Sequence, residues 1–323
     1  MIKVDKTKPF TLFCLLLAFL FCFSSVSAST IYVPRDYPQI QWAIDNATKG
    51  DVIMVKSGVY RENIDLNKRL QLISWDTDGR AALDGGNKGD VITISADGVV
   101  IQGFKINHSD QLEGAGIKVL SNSNTITDNI VTDNAYGIYL SSSSENKITK
   151  NSIQYNSVRG ILLRDSSGNQ IYLNNFMNNN NVYSNSVNTW NTSEPHPYIY
   201  RGLQFANLLG NYWSDYQGKD IDGNGIGNTP YKAGLLSEDI VPLMKRYEYY
   251  ASPAPIPTPT PETTPPPEVS PTPVETITPT PATPTPSPTD TTPTPPFLET
   301  PGFEVLGALI GFWTAFYMVR RGI

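Results

Sequence analysis

The sequence predicts an all-β chain wound as a parallel β-helix. Three observations predict it: a period of 22 or 23 residues, strand-like alternation within each period, and an asparagine at the same place in each. Asn124-Thr-Ile126-Thr-Asp-Asn129 runs on to Asn134 and Gly137-Ile138-Tyr139-Leu140. Asn146-Lys-Ile148-Thr-Lys-Asn151 runs on to Asn156 and Gly160-Ile161-Leu162-Leu163, and Asn169-Gln-Ile171-Tyr-Leu-Asn174 to Asn179. Ile126 and Ile148 stand 22 residues apart, Ile148 and Ile171 23. A period of this size signals a solenoid. Ile126, Val131, Ile138 and Leu140 alternate with polar neighbours, as half-buried strand residues do. Strands recurring at one spacing can stack in register, each coil pairing only with its neighbours. Asn129, Asn151 and Asn174 would then form a ladder, and asparagine also tolerates the left-handed turn conformation.

The elements follow in order. Ile40, Ala43 and Ile44 have helical spacing, with Arg35 or Asp36 just outside the start and Gly50 after the end. This predicts a short helix capping the first coil, since a solenoid needs covered ends. Val52–Val55, Val59-Tyr60, Ile64 and Leu70–Ile73 read as strands of the first coils. Val100–Phe104 and Gly116–Val119 are a looser copy of the repeat. From about Asn181 to Tyr250 the repeat is lost while Trp190, Trp213 and many tyrosines appear, which predicts an irregular C-terminal cap. The division is then leader 1–28, β-helix 29–181, cap 182–250, stalk 251–299 and anchoring tail 300–323.

The ends predict export and attachment. Lys3, Lys6 and Lys8 precede an apolar run from Phe10 to about Phe23, and Val26-Ser27-Ala28 fits the small-residue cleavage rule of a secretory signal. The mature chain is expected to begin near Ser29. The stalk is almost wholly proline and threonine, which cannot offset the entropy of folding. Held near the polyproline conformation, its roughly 45 residues span on the order of 100 Å. The tail has Pro301-Gly302-Phe303, an apolar run to Val319, and Arg320-Arg321, which set that side as cytoplasmic. It resembles the archaeal PGF-CTERM sorting signals, which implies cutting by a membrane transpeptidase and replacement with lipid. An ordinary single-pass helix is the alternative.

Composition limits the chemistry. About 220 residues, Ser29 to Tyr250, make one domain of ordinary size. Both cysteines, Cys14 and Cys22, lie in the leader, so the mature domain carries neither disulfide nor thiol. A net charge of −6 argues against a nucleic-acid partner, which calls for a basic patch.

The segment IYVPRDYPQIQWAIDNATKGDVIMVKSGVYREN, from Ile31 to Asn63, resembles the opening of extracellular pectinesterase-like β-helix proteins. The Asn-Ile-Asn repeats resemble the NosD-like, carbohydrate-binding and sugar-hydrolase group. The segment Gly210 to Tyr231, with Trp213, Asp215, Asp220, Asp222, Asn224 and Gly227, resembles the C-terminal signature of the periplasmic copper-binding NosD family. These resemblances imply a right-handed parallel β-helix of the pectin-lyase type. They imply function only weakly, because one fold hosts many activities.

Asp220-Ile-Asp222-Gly-Asn224-Gly225 fits the first half of a calcium loop. Alternate side chains point to one centre, Ile226 offers a carbonyl and Asn228 a further oxygen. The distal glutamate is replaced by Tyr231, so Glu238 or Asp239 is expected to close the shell. Hard oxygen ligands suit Ca²⁺, in a structural role pinning the cap. Copper, implied by the family name, prefers His, Met and Cys, but this domain offers only His108, His196, Met54, Met177 and Met244. No copper site is expected.

Catalysis on a polysaccharide would call for clustered carboxylates. Asp128 and Asp133 sit in one coil, and Arg159, Arg164 and Asp165 one coil later, so they could share a groove; solvated charges are the plainer reading. Tyr139, Tyr155 and Tyr172 could stack on sugar rings or merely on each other. Sequons stand at Asn46, Asn107 and Asn191. Three functions remain open: a non-catalytic surface protein that binds a polysaccharide or cell-envelope glycan, a polysaccharide hydrolase or lyase, and a metal-handling accessory protein.

Overall fold

A computed structural model describes residues 28–76 and 79–250 of the 323-residue chain. The expected leader up to Ser27, the stalk and the sorting tail lie outside those residues. Among the described residues no helix is long and apolar enough to cross a membrane.

The chain winds into a parallel β-solenoid with three sheets, and a full coil gives one short strand to each. The first sheet stacks β1 (Thr30–Val33), β2 (Val52–Val55), β5 (Gln71–Ser74), β8 (Val100–Gln102), β11 (Thr125–Thr127), β14 (Lys147–Thr149) and β17 (Gln170–Tyr172). The second stacks β3 (Gly58–Tyr60), β6 (Ala81–Asp84), β9 (Lys105–Asn107), β12 (Ile130–Thr132), β15 (Ser152–Gln154), β18 (Asn175–Met177) and β22 (Tyr212–Trp213). The third stacks β4 (Ile64–Leu66), β7 (Ile92–Ile94), β10 (Ala115–Val119), β13 (Tyr136–Ser141), β16 (Arg159–Arg164) and β19 (Val182–Ser184).

The repeat is visible in the register. In the first sheet Ile53, Leu72, Ile101, Ile126, Ile148 and Ile171 pair in succession and are all fully buried. In the second, Leu83, Ile106, Val131, Ile153, Phe176 and Trp213 do the same. One face of each strand is thus a column of like residues along the coil axis, and each buried isoleucine contributes about 2 kcal/mol of transfer free energy. The repeated glycines Gly116, Gly137 and Gly160 answer to space. A Cβ on Gly137 would stand 2.5 Å from the Gly160 carbonyl oxygen and 2.8 Å from Asn156 Nδ2.

Helix α1 (Ile40–Asn46) covers the first coil with Ile40, Ala43 and Ile44 turned inward. Its capping groups come from the next coil, and neither Arg35 nor Asp36 caps it. Glu62 accepts the N–H groups of Ile40 and Gln41 at 3.0 Å each. At the other end Lys68 Nζ donates to the carbonyls of Ile44, Asp45 and Ala47 at 2.8–3.1 Å. A carboxylate at the helix start and an ammonium at its end oppose the helix dipole.

Asparagine ladders run up all three corners. Asn124, Asn146, Asn169 and Asn188 form one; Asn129, Asn151, Asn174 and Asn211 another; Asn134, Asn156, Asn178 and Asn181 the third. In each rung the main-chain N–H and Nδ2 of one asparagine both donate to Oδ1 of the next, as Asn129 does to Asn151 at 3.0 and 3.1 Å. The residue before the asparagine is left-handed at Asp128, Lys150 and Leu173, with φ of 57°, 56° and 55°. The third ladder uses Asn178 where the repeat pointed to Asn179, because its last coil omits the corner residue held by Tyr155 in the coil before.

Solenoid pairing also continues past residue 181, through β19 and β22. The apparent end of the repeat is an insertion. It carries the antiparallel hairpin β20 (His196–Tyr200) and β21 (Leu203–Asn207) before the chain returns to the coil. A short pair, β23 (Tyr231–Lys232) and β24 (Glu238–Asp239), completes the cap. There Phe176, Trp213 and Tyr231 stack face to face, with centroids 4.4 and 4.2 Å apart, and close the core.

Candidate functional site

The outward surface of the third sheet concentrates aromatic and cationic side chains. Register places Thr93, Lys118, Tyr139, Leu162 and Tyr183 in one outward column on successive coils. Tyr136 pairs with Arg159 at one side of the column, and Ser141 with Arg164 at the other. Lys118 Nζ lies 5.2 Å from the Tyr139 ring centre, and the Arg164 guanidinium carbon 6.0 Å from it. The Arg159 guanidinium stands 5.6 Å from the Tyr183 ring and donates to the Val182 carbonyl at 2.8 Å, which holds it in place. Tyr136 and Tyr139 approach to 5.8 Å. A cavity of about 360 Å³ opens here, lined by Tyr136, Arg159, Leu162, Arg164, Asp165 and Tyr183 among others. Asp165 is its one lining carboxylate among the described residues, and Asn185 Nδ2 donates to it at 2.8 Å. Such a surface can stack on apolar sugar faces and bind acidic groups through Arg.

The six sequence candidates are therefore split. Tyr139, Arg159 and Arg164 share this face. Asp128 and Asp133 are left-handed corner residues, each φ 57°, at two different corners, and each accepts from the threonine before it at 3.0–3.1 Å. Tyr155 stands on the Asp133 corner, 68% exposed, beside a second cavity of about 410 Å³ that also takes in Met177 and Tyr212. Tyr136, Tyr183 and Lys118 were missed. Tyr183 had a signal, since Val182-Tyr183-Ser184 continues the column of Ile161-Leu162-Leu163.

The Asp-rich loop is drawn together by its own hydrogen bonds. Asp220 accepts the N–H groups of Asn224 and Gly225 at 3.0 and 2.9 Å, and Asn224 Oδ1 accepts that of Ile226 at 2.8 Å. Asn228 donates to Asp222 at 3.0 Å and accepts from the Ile221 N–H at 2.6 Å. Asp239, expected in this shell, instead ends a ladder. It is fully buried, and its oxygens accept from the Asn211 N–H at 2.7 Å, Asn211 Nδ2 at 3.3 Å, Trp213 Nε1 at 2.9 Å and the Val241 N–H at 3.2 Å. Burial pushes its carboxyl up to about 6, and these donors limit the rise. Asp215 ends the third ladder in the same way, accepting from Asn181 Nδ2 at 2.7 Å and from the Tyr231 hydroxyl at 3.1 Å. Burial, with Asp215 beside it, pushes the Tyr231 phenol up and keeps it a donor.

Of the sequons, Asn46 is exposed at the end of α1, Asn191 is half-buried, and Asn107 is 8% exposed with Nδ2 turned to His108. His108 meets Asp84 at 3.0 Å on the second sheet, while His196 lies on the hairpin. Met54, Met177 and Met244 lie on β2, on β18 and after β24. Among the described residues no three His, Cys, Asp or Glu gather to hold a metal. This scattered donor set does not fit copper.

A family described as periplasmic copper-binding protein (NosD) matches residues 80–218. Among solved structures, the alginate lyase from Paenibacillus sp. str. FPU-7 is similar to this chain at 16% identity and a TM-score of 0.31, over 49% of this chain and 77% of that one. No curated protein matches the sequence. The chain is a parallel β-helix, and its residues 80–218 are similar to the NosD family.

Proposed function

We propose that the domain is a non-catalytic glycan-binding module held at the outer surface of a cell. The observation that carries this is the outward column of the third sheet, where Tyr139 and Tyr183 each sit beside a guanidinium. They are two coils apart, or about 10 Å at the usual strand spacing, so two rings can engage successive units of one extended chain. The periplasmic name of the matching family and the sequence's leader, stalk and sorting tail support export and attachment. One lining carboxylate falls short of the pair that glycosidic hydrolysis uses.

The test is a glycan-array and polysaccharide-degradation screen on the chain from residue 29. The expected result is binding without product release, weakened about tenfold when Tyr139 is changed to alanine, a loss of roughly 1–1.5 kcal/mol for one stacked ring. Released oligosaccharide would overturn the non-catalytic reading, and binding indifferent to Tyr139→Ala would overturn the site.

Calcium is a second proposal. Asp220, Asp222, Asn224, Asn228 and the Ile226 carbonyl come from one turn with two carboxylates, so binding is expected only at roughly millimolar Ca²⁺. It is read as a higher melting temperature at about 10 mM Ca²⁺ than in chelator, on the same scale. An unchanged melting temperature would remove the ion from the loop.

A further inference from the structure

Asp51 is 2% exposed, yet among the described residues no lysine or arginine pairs with it. A buried carboxylate is ordinarily matched by a cation. Lys68, which reaches the neighbouring Ala47 carbonyl, is committed to the end of α1. What meets Asp51 instead is the Thr48 N–H at 2.8 Å, the Thr48 hydroxyl at 2.9 Å and, on Oδ1, the main-chain nitrogen of Ser29 at 2.8 Å. Ser29 is fixed there by the first rung of the β1–β2 pairing, where the Val52 N–H donates to its carbonyl at 2.9 Å. The nitrogen that faces the unpaired carboxylate thus belongs to the residue after the expected cleavage point.

We propose that hydrolysis of the Ala28–Ser29 peptide bond creates an N-terminal ammonium that Asp51 holds as its missing cation. Water adds across the bond under a signal peptidase. The carboxylate leaves with Ala28, and the amine stays on Ser29 and takes up a proton. An amide N–H donor then becomes a charged donor at the same place, which strengthens the contact. Ala28 and Ser29 are exposed, so the leader departs without disturbing the coil. The Asp51 carboxyl is already held down at about 2, first by the Ser29 N–H and then by Thr48, so it is ionised and ready for the new charge. Removal of the leader thereby completes the first coil, and the processed chain is more firmly closed than its precursor.

N-terminal sequencing of the exported protein is expected to begin at Ser29, and any other start overturns the proposal. Chains beginning at Ser29, or extended to keep Ala28 and one further residue, are then melted on Asp51 and Asp51→Asn backgrounds. At pH 6 to 7 the Ser29 form is expected to melt about 3 °C higher. The advantage should vanish well above pH ~8, where an α-amine loses its proton, and should be absent in Asp51→Asn. Equal melting at pH 7, or a difference that persists at high pH, overturns the ion pair even if Asp51→Asn fails to fold.

Discussion

Replacing Asn151 by alanine is expected to cost on the order of 4 kcal/mol, enough to place it among the exceptional single substitutions. Asn151 is fully buried in the middle of a ladder. Its Oδ1 accepts from Asn129 N–H and Nδ2, and its Nδ2 donates to the carbonyls of Ile126 and Thr149 and to Asn174 Oδ1. Alanine strands two donors on one side and weakens two carbonyls on the other, and each buried orphan costs about 1–3 kcal/mol. The loss falls between coils, so a solenoid with nearest-neighbour coupling should also unfold less cooperatively, with a shallower denaturant slope. Asn179→Ala, at an exposed position outside every ladder, is expected within about 0.5 kcal/mol of the parent. Denaturant titrations that rank the two alike would refute the ladder as the element holding the coils together.

The second large effect is on pH. Asp239 is raised to about 6 in the folded protein from an ordinary 3.8. Between those values the folded chain binds a proton that the unfolded chain has released, so stability falls as pH rises from about 4 to about 6. The shift corresponds to about 3 kcal/mol at most. Asp51 acts in the opposite sense. Its carboxyl is lowered to about 2, so its contribution is complete above 3.8 and is lost as pH falls through 2. Asp84, where burial pulls upward but is outweighed by the Gly86 N–H, His108 and Arg61 together, and Asp110, through the Leu112 and Glu113 N–H groups, are lowered too and add to the acid side. The melting temperature is therefore expected to peak near pH 4. Asp239→Ala should flatten the fall on the alkaline side while lowering stability throughout, because the Trp213 and Asn211 donors lose their acceptor. A profile that climbs steadily from pH 4 to pH 6 would show that Asp239 does not titrate in this way.

How much was legible follows from which contacts are local to the repeat. Ile126, Ile148 and Ile171 face the core because period and alternation both fix their side, and Asn129, Asn151 and Asn174 were visible as a ladder. The upper rungs were not. Asn188 lies 19 residues beyond Asn169, and Asn211 lies 37 beyond Asn174, so neither keeps the spacing that reveals the others. Tyr183 follows its column partner Leu162 by 21 residues, short of the 22 or 23 of the repeat, because the coil before it is shortened. Asp239 was misplaced because its partner is the end of a stack, set by tertiary position and carried by no local motif. The calcium pattern, by contrast, is a local spacing that simple turn hydrogen bonds also satisfy.

The ladders have a direction. Every rung accepts from the coil before and donates to the coil after, beginning on the N–H groups of Val99, Phe104 and Ser109. Two of the three finish on the carboxylates of Asp215 and Asp239. A middle coil therefore presents the same pair of connections above and below, like a bead with one socket and one plug. Duplicating such a coil leaves both neighbours' partners unchanged and lengthens the outer face by about 4.8 Å. The carboxylates mark where counting stops, so the reach of this surface along a polymer is a property that gene duplication can adjust one turn at a time.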